Sequence, residues 1–460
     1  KMKAFLAVEE RLLEEQAGRI STADLEAVNH GLVVIRDLVW GLDKDILENV
    51  EKIRRLAGAE GVADVAPEAL PKYRKMNFLL NGLDRLEVRG RDSAGIEISF
   101  VAADASAFGG IMTALREKGL GDELDRRMAP GDLADGSITC SPVVEWGHDA
   151  ASCPRRDVKS VPLSRAISFT YKTAEIIGEL GRNVRELRRH IATDRLFHTF
   201  ARLPVAFETA FTHTRWASVG SITEENCHPI GNFTRLSENY GDMMPHRVPV
   251  SAMTDCKGSI NRAPTVPLNG SAGGKGCRTI HAVLNGDIDN YQTLREALDE
   301  ECGRIAPEVT TDTKIIPLQI EKYLRAGHDM TDAFRRAVSD FEGSHAIAMI
   351  SSAEPGKVFL ALRGSGQSIY VGITQDRYLF SSELYGLVEE TPFFIKMEGE
   401  RPSRPDMPER TGQIFILDQD AEGGAAGIRG LFYDGTPLTL GKEAVRRAEI
   451  TTRDIDRGDY

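Results

Sequence analysis

The chain has 460 residues, 27% of them charged, with a formal net charge of −12. That length suits one large domain with insertions or two to three smaller ones, and the acidic balance argues against nucleic-acid binding, which needs a concentrated basic face. No apolar run approaches the ~20 residues that span a bilayer, and Lys1 to Gly18 reads as an amphipathic, glutamate-bearing helix and not as a signal peptide, so a cytoplasmic protein with no membrane contact is expected.

Taken in chain order, the first elements are helical. Ser21, Thr22, Ala23 and Asp24 form a capping box ahead of Leu25, Val28, Leu32, Ile35 and Val39, which share one helix face. Ile46, Val50 and Ile53 continue an apolar face as far as Gly58, and a linker with two prolines follows up to Pro71. Tyr73, Met76, Leu80 and Leu83 then keep helical spacing, with Gly90 as a stop. Past Gly90 the period changes to two: Ile96, Ile98 and Phe100 alternate with Glu97 and Ser99, the pattern of a half-buried strand. Residues 102–165 are rich in Gly, Asp and Pro and read as an irregular insertion, and residues 166–200 return to strand and then helix.

Short apolar or alternating runs at 207–217, 279–284, 345–351, 357–363 and 378–382 read as strands, with helices over 289–301, 314–326 and 331–341. This mixture argues an α+β sandwich of sheets covered by helices. Residues 232–277, rich in Pro, Gly, Ser and Asn, read as a long surface loop. Within it, Gly270 to Gly276 imitates a phosphate loop, but Gly276 follows Lys275 where such a loop needs Ser or Thr. The six cysteines (Cys140, Cys153, Cys227, Cys256, Cys277 and Cys302) form no C-x-x-C pair, so reduced thiols and no structural metal site are expected.

Two segments carry chemistry. The run from His281 ends at Asn285 and Gly286, where an amide side chain and a glycine N–H offer two donors to a developing oxyanion. The run ending at Arg215 and Trp216 offers a guanidinium that can hold a carboxylate through two parallel hydrogen bonds. The bland readings are a tight turn for Asn285-Gly286, a surface ion pair for Arg215, and a helix cap for Asp312. Cys227 and His228 invite a nucleophile–base dyad, but adjacent residues of an extended chain point to opposite faces, and a structural turn at Pro229 is preferred. His281 and His345, in apolar strands, read as core or supporting residues.

Five segments in order, Leu86 to Gly95, His213 to Ala217, Asn226 to Pro229, Leu284 to Gly286 with Asn290 and Tyr291, and Thr311 to Thr313, resemble the glutaminase domain of the class II glutamine amidotransferases. Within that family they are most similar to the branch that aminates a sugar phosphate, the glutamine–fructose-6-phosphate aminotransferases. The resemblance covers roughly residues 75 to 460, and Arg453 to Tyr460 resembles the linker leading into that branch's sugar-isomerase half. It implies a four-layer α/β/β/α N-terminal-nucleophile hydrolase sandwich, here with an N-terminal helical extension (1–70), a glutaminase domain (71–440) with loop insertions near 102–165 and 232–277, and a linker (441–460) towards a sugar-isomerase domain.

It also implies hydrolysis of glutamine to glutamate and ammonia, with no cofactor, for transfer to a sugar phosphate bound by a separate isomerase domain, in a homo-oligomer. By position, Asn285 and Gly286 correspond to the oxyanion hole, Arg215 to the residue that binds the glutamine α-carboxylate, and Asp312 to the partner of the α-ammonium, an acid at a helix start and well placed to be ionised. Trp216 corresponds to a residue that closes the ammonia passage. Ser218 stands where the family has Thr, and Val219 where it has His. No cysteine lies in the first 139 residues, although the family carries its nucleophile on a strand just before the helix that spans Tyr73 to Val88. The expectation is a catalytic strand preceding Lys1; the alternative is a noncatalytic glutamine-binding or scaffolding relative.

Overall fold

The computed structural model describes residues 1–128, 137–142, 165–174, 179–232, 278–302, 305–404, 406, 411–450 and 452. Two antiparallel helices open the chain, α1 (Met2–Gln16) and α2 (Thr22–Trp40). The expected cap is in place, with the Ser21 hydroxyl accepting from the Asp24 backbone N–H at 3.2 Å. A π-helical stretch, Gly41–Glu48, leads into α3 (Asn49–Leu56). Helix α4 (Leu70–Leu86) follows, and Tyr73, Met76, Leu80 and Leu83 are all buried along it, as the helical spacing predicts.

Among the described residues, three sheets form the body of the molecule. The first has the order β2-β3-β1-β4, from β1 (Ser93–Ala102), β2 (Ser137–Pro142), β3 (Arg165–Thr173) and β4 (Val205–Arg215). Helices α3 and α4, α5 (Ala105–Glu117), α6 (Gly121–Arg127), α7 (Arg182–Thr193) and α8 (Arg195–Phe200) close an apolar core over it. The second sheet, seven antiparallel strands, runs β14-β13-β12-β8-β7-β6-β5: β5 (Ile230–Gly231), β6 (Ile280–Gly286), β7 (His345–Ser351), β8 (Lys357–Arg363), β12 (Gln413–Asp418), β13 (Arg429–Phe432) and β14 (Pro437–Leu438). Its outer face packs on α9 (Tyr291–Cys302), α10 (Ile315–Arg325) and α11 (Met330–Asp340). The third sheet, β10-β9-β11-β15, joins β9 (Tyr370–Ile373), β10 (Tyr378–Ser381), β11 (Phe393–Lys396) and β15 (Arg446–Arg447). A further core, with Phe211, Val283, Leu360, Val371, Ile395 and Phe415, fills the space between the seven-stranded sheet and the two smaller ones. The layers are therefore α/β/β/α, the expected sandwich.

Four readings need correction. Part of 102–165 is ordered structure: α5 and α6 contribute Met112, Leu115 and Leu124 to the core, and β2 pairs with β3. Strand β1 is not half-buried; both its faces are covered, and Glu97 is fully buried, because the sheet is an inner layer of a sandwich. The helical extension is not separate up to residue 70, since Ile53 and Leu56 of α3 belong to the same core as α4. The start of the 441–460 linker is tied down, with β15 pairing to Phe393 and Phe394 of β11. The loop reading at 232–277, with its phosphate-loop imitation, and the linker motif at 453–460 lie outside the described residues save Asn232.

Candidate active site

Strand β4 sets the geometry of the site. With a two-residue period, Phe211, His213 and Arg215 fall on one face, the face turned towards β6, and all three are buried. Arg215 ends the strand with its guanidinium folded back on the following loop, Nη1 donating to the Ser221 carbonyl at 3.1 Å and Nη2 to the Val219 carbonyl. Two of its five N–H groups are thus committed to holding the loop, and the other three have no acceptor among the described residues. Burial lowers the Arg215 pKa, opposed by Cys227, Asp312 and Asp92 nearby. Asp92, inside the Arg-Asp-Ser-Ala-Gly motif, accepts from the Ala217 N–H at 2.8 Å and so pins the same loop from the other side. Gly95 of that motif is needed because a Cβ there would collide with the His228 carbonyl oxygen.

Strand β6 brings up the second wall. Gly286 has φ +88°, and a Cβ would run into the Ser344 carbonyl oxygen, so no other residue fits without distortion. Beside it, Asn285 Oδ1 accepts from His213 Nε2 at 2.8 Å. Burial lowers the His213 pKa to about 4, with the hydrogen bond to Asn285 opposing it, so the ring is neutral at neutral pH. The third wall is the short 3-10 turn Asp312–Lys314 before α10. Asp312 is 4% exposed, and its Oδ2 accepts the Ile288 N–H at 3.0 Å. Contrary to the sequence expectation of a readily ionised acid, burial raises its pKa; the Ile288 hydrogen bond opposes this and the nearby Asp287 adds to it.

Arg215, Trp216, Ser218, Asn285, Gly286 and Asp312 all line one cavity. Trp216 is 75% exposed at its mouth, and Ser218 donates to Asp287 Oδ1 at 2.5 Å across it. Val219 contributes its backbone carbonyl to Arg215 and also lines the cavity. The volume, about 1110 Å³, exceeds what a single free amino acid needs, since pockets for far larger ligands occupy ~300–1,000 Å³. The extra space runs along β4 on one side and β10 on the other, under α4 and over β6, β7 and β8. Both strands are sheet edges: β4 pairs only with β1, and β10 only with β9, among the described residues.

Sequence reasoning left several groups unassigned. The His213 and His228 rings are in contact, centroids 4.4 Å apart and planes tilted by 44°, and His228 Nε2 bonds Thr313 Oγ1 at 2.7 Å. His228 therefore points away from Cys227, which is fully buried with its pKa raised by that burial, and the pair forms no dyad. Glu97 bonds His281 across the two sheets and accepts from Thr170 Oγ1 at 3.2 Å. His345 is buried against Tyr433, with Nε2 3.0 Å from its hydroxyl, a core residue as expected. The signal for Asp92 and His213 was present, since both sit inside quoted motifs; for Glu97 the alternating pattern pointed the wrong way. No group of His, Cys, Asp and Glu suited to a metal occurs among the described residues.

Residues 273–389 match the family described as a glutamine amidotransferase domain. The chain is 29% identical over 208 residues to a glutamine–fructose-6-phosphate aminotransferase (isomerizing) of Methanothermobacter thermautotrophicus, a match covering 45% of this chain and 25% of that protein. It is 27% identical over 249 residues to the enzyme so named from Sulfurisphaera tokodaii, covering 53% and 34%. The matched region thus spans a quarter to a third of the length of these relatives. Among solved structures, a glutamine phosphoribosylpyrophosphate amidotransferase from B. subtilis aligns at 12% identity with a TM-score of 0.34, covering 74% of this chain and 49% of that one.

Proposed function

We propose that this chain, which carries a glutamine amidotransferase domain and is related to the glutamine–fructose-6-phosphate aminotransferases, is the glutamine-hydrolysing part of an enzyme that delivers ammonia to a sugar phosphate. Glutamine enters the cavity with its α-carboxylate on Arg215 and its α-ammonium on Asp312. The incoming ammonium adds a positive charge beside the Asp312 carboxylate to that of the nearby Arg215. The side-chain amide then lies against Asn285 and Gly286, whose N–H donors stabilise the oxyanion formed when a nucleophile adds to the carbonyl carbon. Trp216 and Ser218, at the mouth, shield the reaction and the released ammonia from water.

Among the described residues no cysteine lines the cavity to act as the nucleophile. The observation that carries the reading is the slot between the open edges of β4 and β10, which ends at Arg215, Asn285 and Gly286. An extended segment laid there would satisfy both rows of edge N–H and C=O groups and join the two small sheets into one. We infer that a strand outside residues 1–460 occupies it and presents an N-terminal cysteine thiol, with its own α-amino group as general base. Assaying the full gene product for glutamate release from glutamine, with and without fructose 6-phosphate, tests this; no release in either condition rejects the enzyme.

A second reading is favoured by one observation: no cysteine lines the cavity among the described residues. On that reading residues 1–460 bind glutamine without turnover. Calorimetry on this chain should then show binding that Arg215→Ala abolishes, with no glutamate formed.

A further inference from the structure

We propose that His213 is the positioning residue that turns the Asn285 amide so that its NH₂ end, and not its carbonyl end, faces the cavity. This rests on Asn285 taking the oxyanion role. The two ends of an asparagine amide are nearly the same size and differ only in donating or accepting. Flipped over, Asn285 would aim a carbonyl oxygen at a developing negative charge and oppose the reaction it should assist. Something must choose between the two states, and the contact that can do so is the 2.8 Å hydrogen bond between His213 Nε2 and Asn285 Oδ1.

The choice depends on which ring nitrogen carries the proton. Nε2 faces the Asn285 acceptor, the ring also lies against the Leu284 backbone carbonyl, and Nδ1 is buried and meets no acceptor within hydrogen-bonding geometry among the described residues. Nε2–H then donates to Oδ1, and the two Nδ2 hydrogens of Asn285, with no partner among the described residues, are left for the cavity it lines. The ring is held in that pose from behind. The His228 ring packs on it, centroids 4.4 Å apart and planes tilted by 44°, and is itself fixed by Thr313 Oγ1 at 2.7 Å, next to Asp312. The period of β4 puts His213 on the same face as Arg215, two residues on. The imidazole pair thus ties the group facing the substrate amide to the turn that would receive its ammonium.

Two measurements test this. Long-range ¹⁵N–¹H spectra of ¹⁵N-histidine-labelled wild-type chain at pH 7 should report His213 as the Nε2–H tautomer; an Nδ1–H tautomer overturns the proposal whatever the protein catalyses. In the full gene product, His213→Phe should lower kcat roughly 10- to 100-fold, short of the loss from removing an oxyanion donor outright, with KM within about threefold. His213→Gln, whose amide NH₂ reaches the Nε2 position, should recover most of that loss. Equal impairment of the folded Gln and Phe variants, or a change confined to KM, overturns it. A wild-type enzyme that releases no glutamate rejects the proposed function, while the tautomer measurement still decides the orientation.

Discussion

Helix α4 and the α1–α2 hairpin both announce themselves in the sequence by helical spacing, yet they end in opposite situations. Of the 17 residues of α4, nine are buried; α1 buries only Leu6 and α2 only Leu32. Helix α4 roofs the cavity and is held by the core beneath β1 and β3. The hairpin carries exposed ion pairs, Lys3 with Asp43 just past α2 at 2.6 Å and Arg36 with Glu10, a kind of contact that adds little stability. Periodicity therefore writes the helix, but what lies beside it decides how much energy the apolar face releases.

The largest effect should come from breaking α4. Leu80 is wholly buried, and Leu80→Ala should cost ~2–5 kcal/mol through lost burial and the cavity left behind, measured by urea denaturation. A loss below ~1 kcal/mol would put α4 in the same class as the hairpin and dissolve the contrast. Slightly smaller in energy, but visible only in catalysis, is Asn285→Ala in the full gene product: kcat should fall roughly 10²–10³-fold, or ~2.7–4 kcal/mol, with the melting temperature little changed. An unchanged kcat removes Asn285 from the oxyanion role.

Asp312 sharpens the comparison from within the well-packed region, where burial carries a cost. Its pKa is raised above 3.8, chiefly by burial, so the ionised form is penalised. That penalty is present above the raised pKa and vanishes as pH falls below 3.8. Glutamine's ammonium reverses it, so binding should release protons at mildly acidic pH and weaken as pH falls through the raised pKa. Asp312→Asn keeps an acceptor for the Ile288 N–H while removing the charge. At pH 7 it should leave the empty protein as stable or ~0.5–2 kcal/mol more so, and abolish glutamine binding by calorimetry. A variant that binds as tightly as wild type takes Asp312 out of the ammonium site.

The same contrast explains what could be read from the chain. Arg215, Asn285, Gly286 and Asp312 were legible because each sits at the end of a short run whose local pattern marks where a strand or helix stops. Their convergence on one cavity is a property of the fold and was carried only by resemblance. Glu97 was misread since alternation signals one wet face, and nothing local says that a second sheet covers it; the price of that burial is met by His281, 184 residues away. The strands from β9 onward that close the sandwich are four residues or fewer apart from β12, too short to carry a period. The slot between β4 and β10 was invisible for a related reason, because an unfilled edge is defined by what is not beside it.

The smallest expected effect lies on the hairpin. Val28, Gly31, Ile35, Leu38 and Leu42 repeat at three- and four-residue steps down α2 and into the π-helical stretch after it, the spacing of a packed seam, yet Val28, Leu38 and Leu42 are exposed. Were this seam unpartnered in solution, Leu38→Ser would remove no buried contact, and stability should stay within ~0.5 kcal/mol of wild type. The substitution should also leave glutamine binding unaltered, since no hairpin residue lines the cavity. A drop of several degrees in melting temperature would mean that the seam is covered in solution, and its dependence on protein concentration would tell self-association from contact within the chain. In that event the hairpin would belong with α4 among the buried helices, and the difference between the two regions would be one of partner and not of packing.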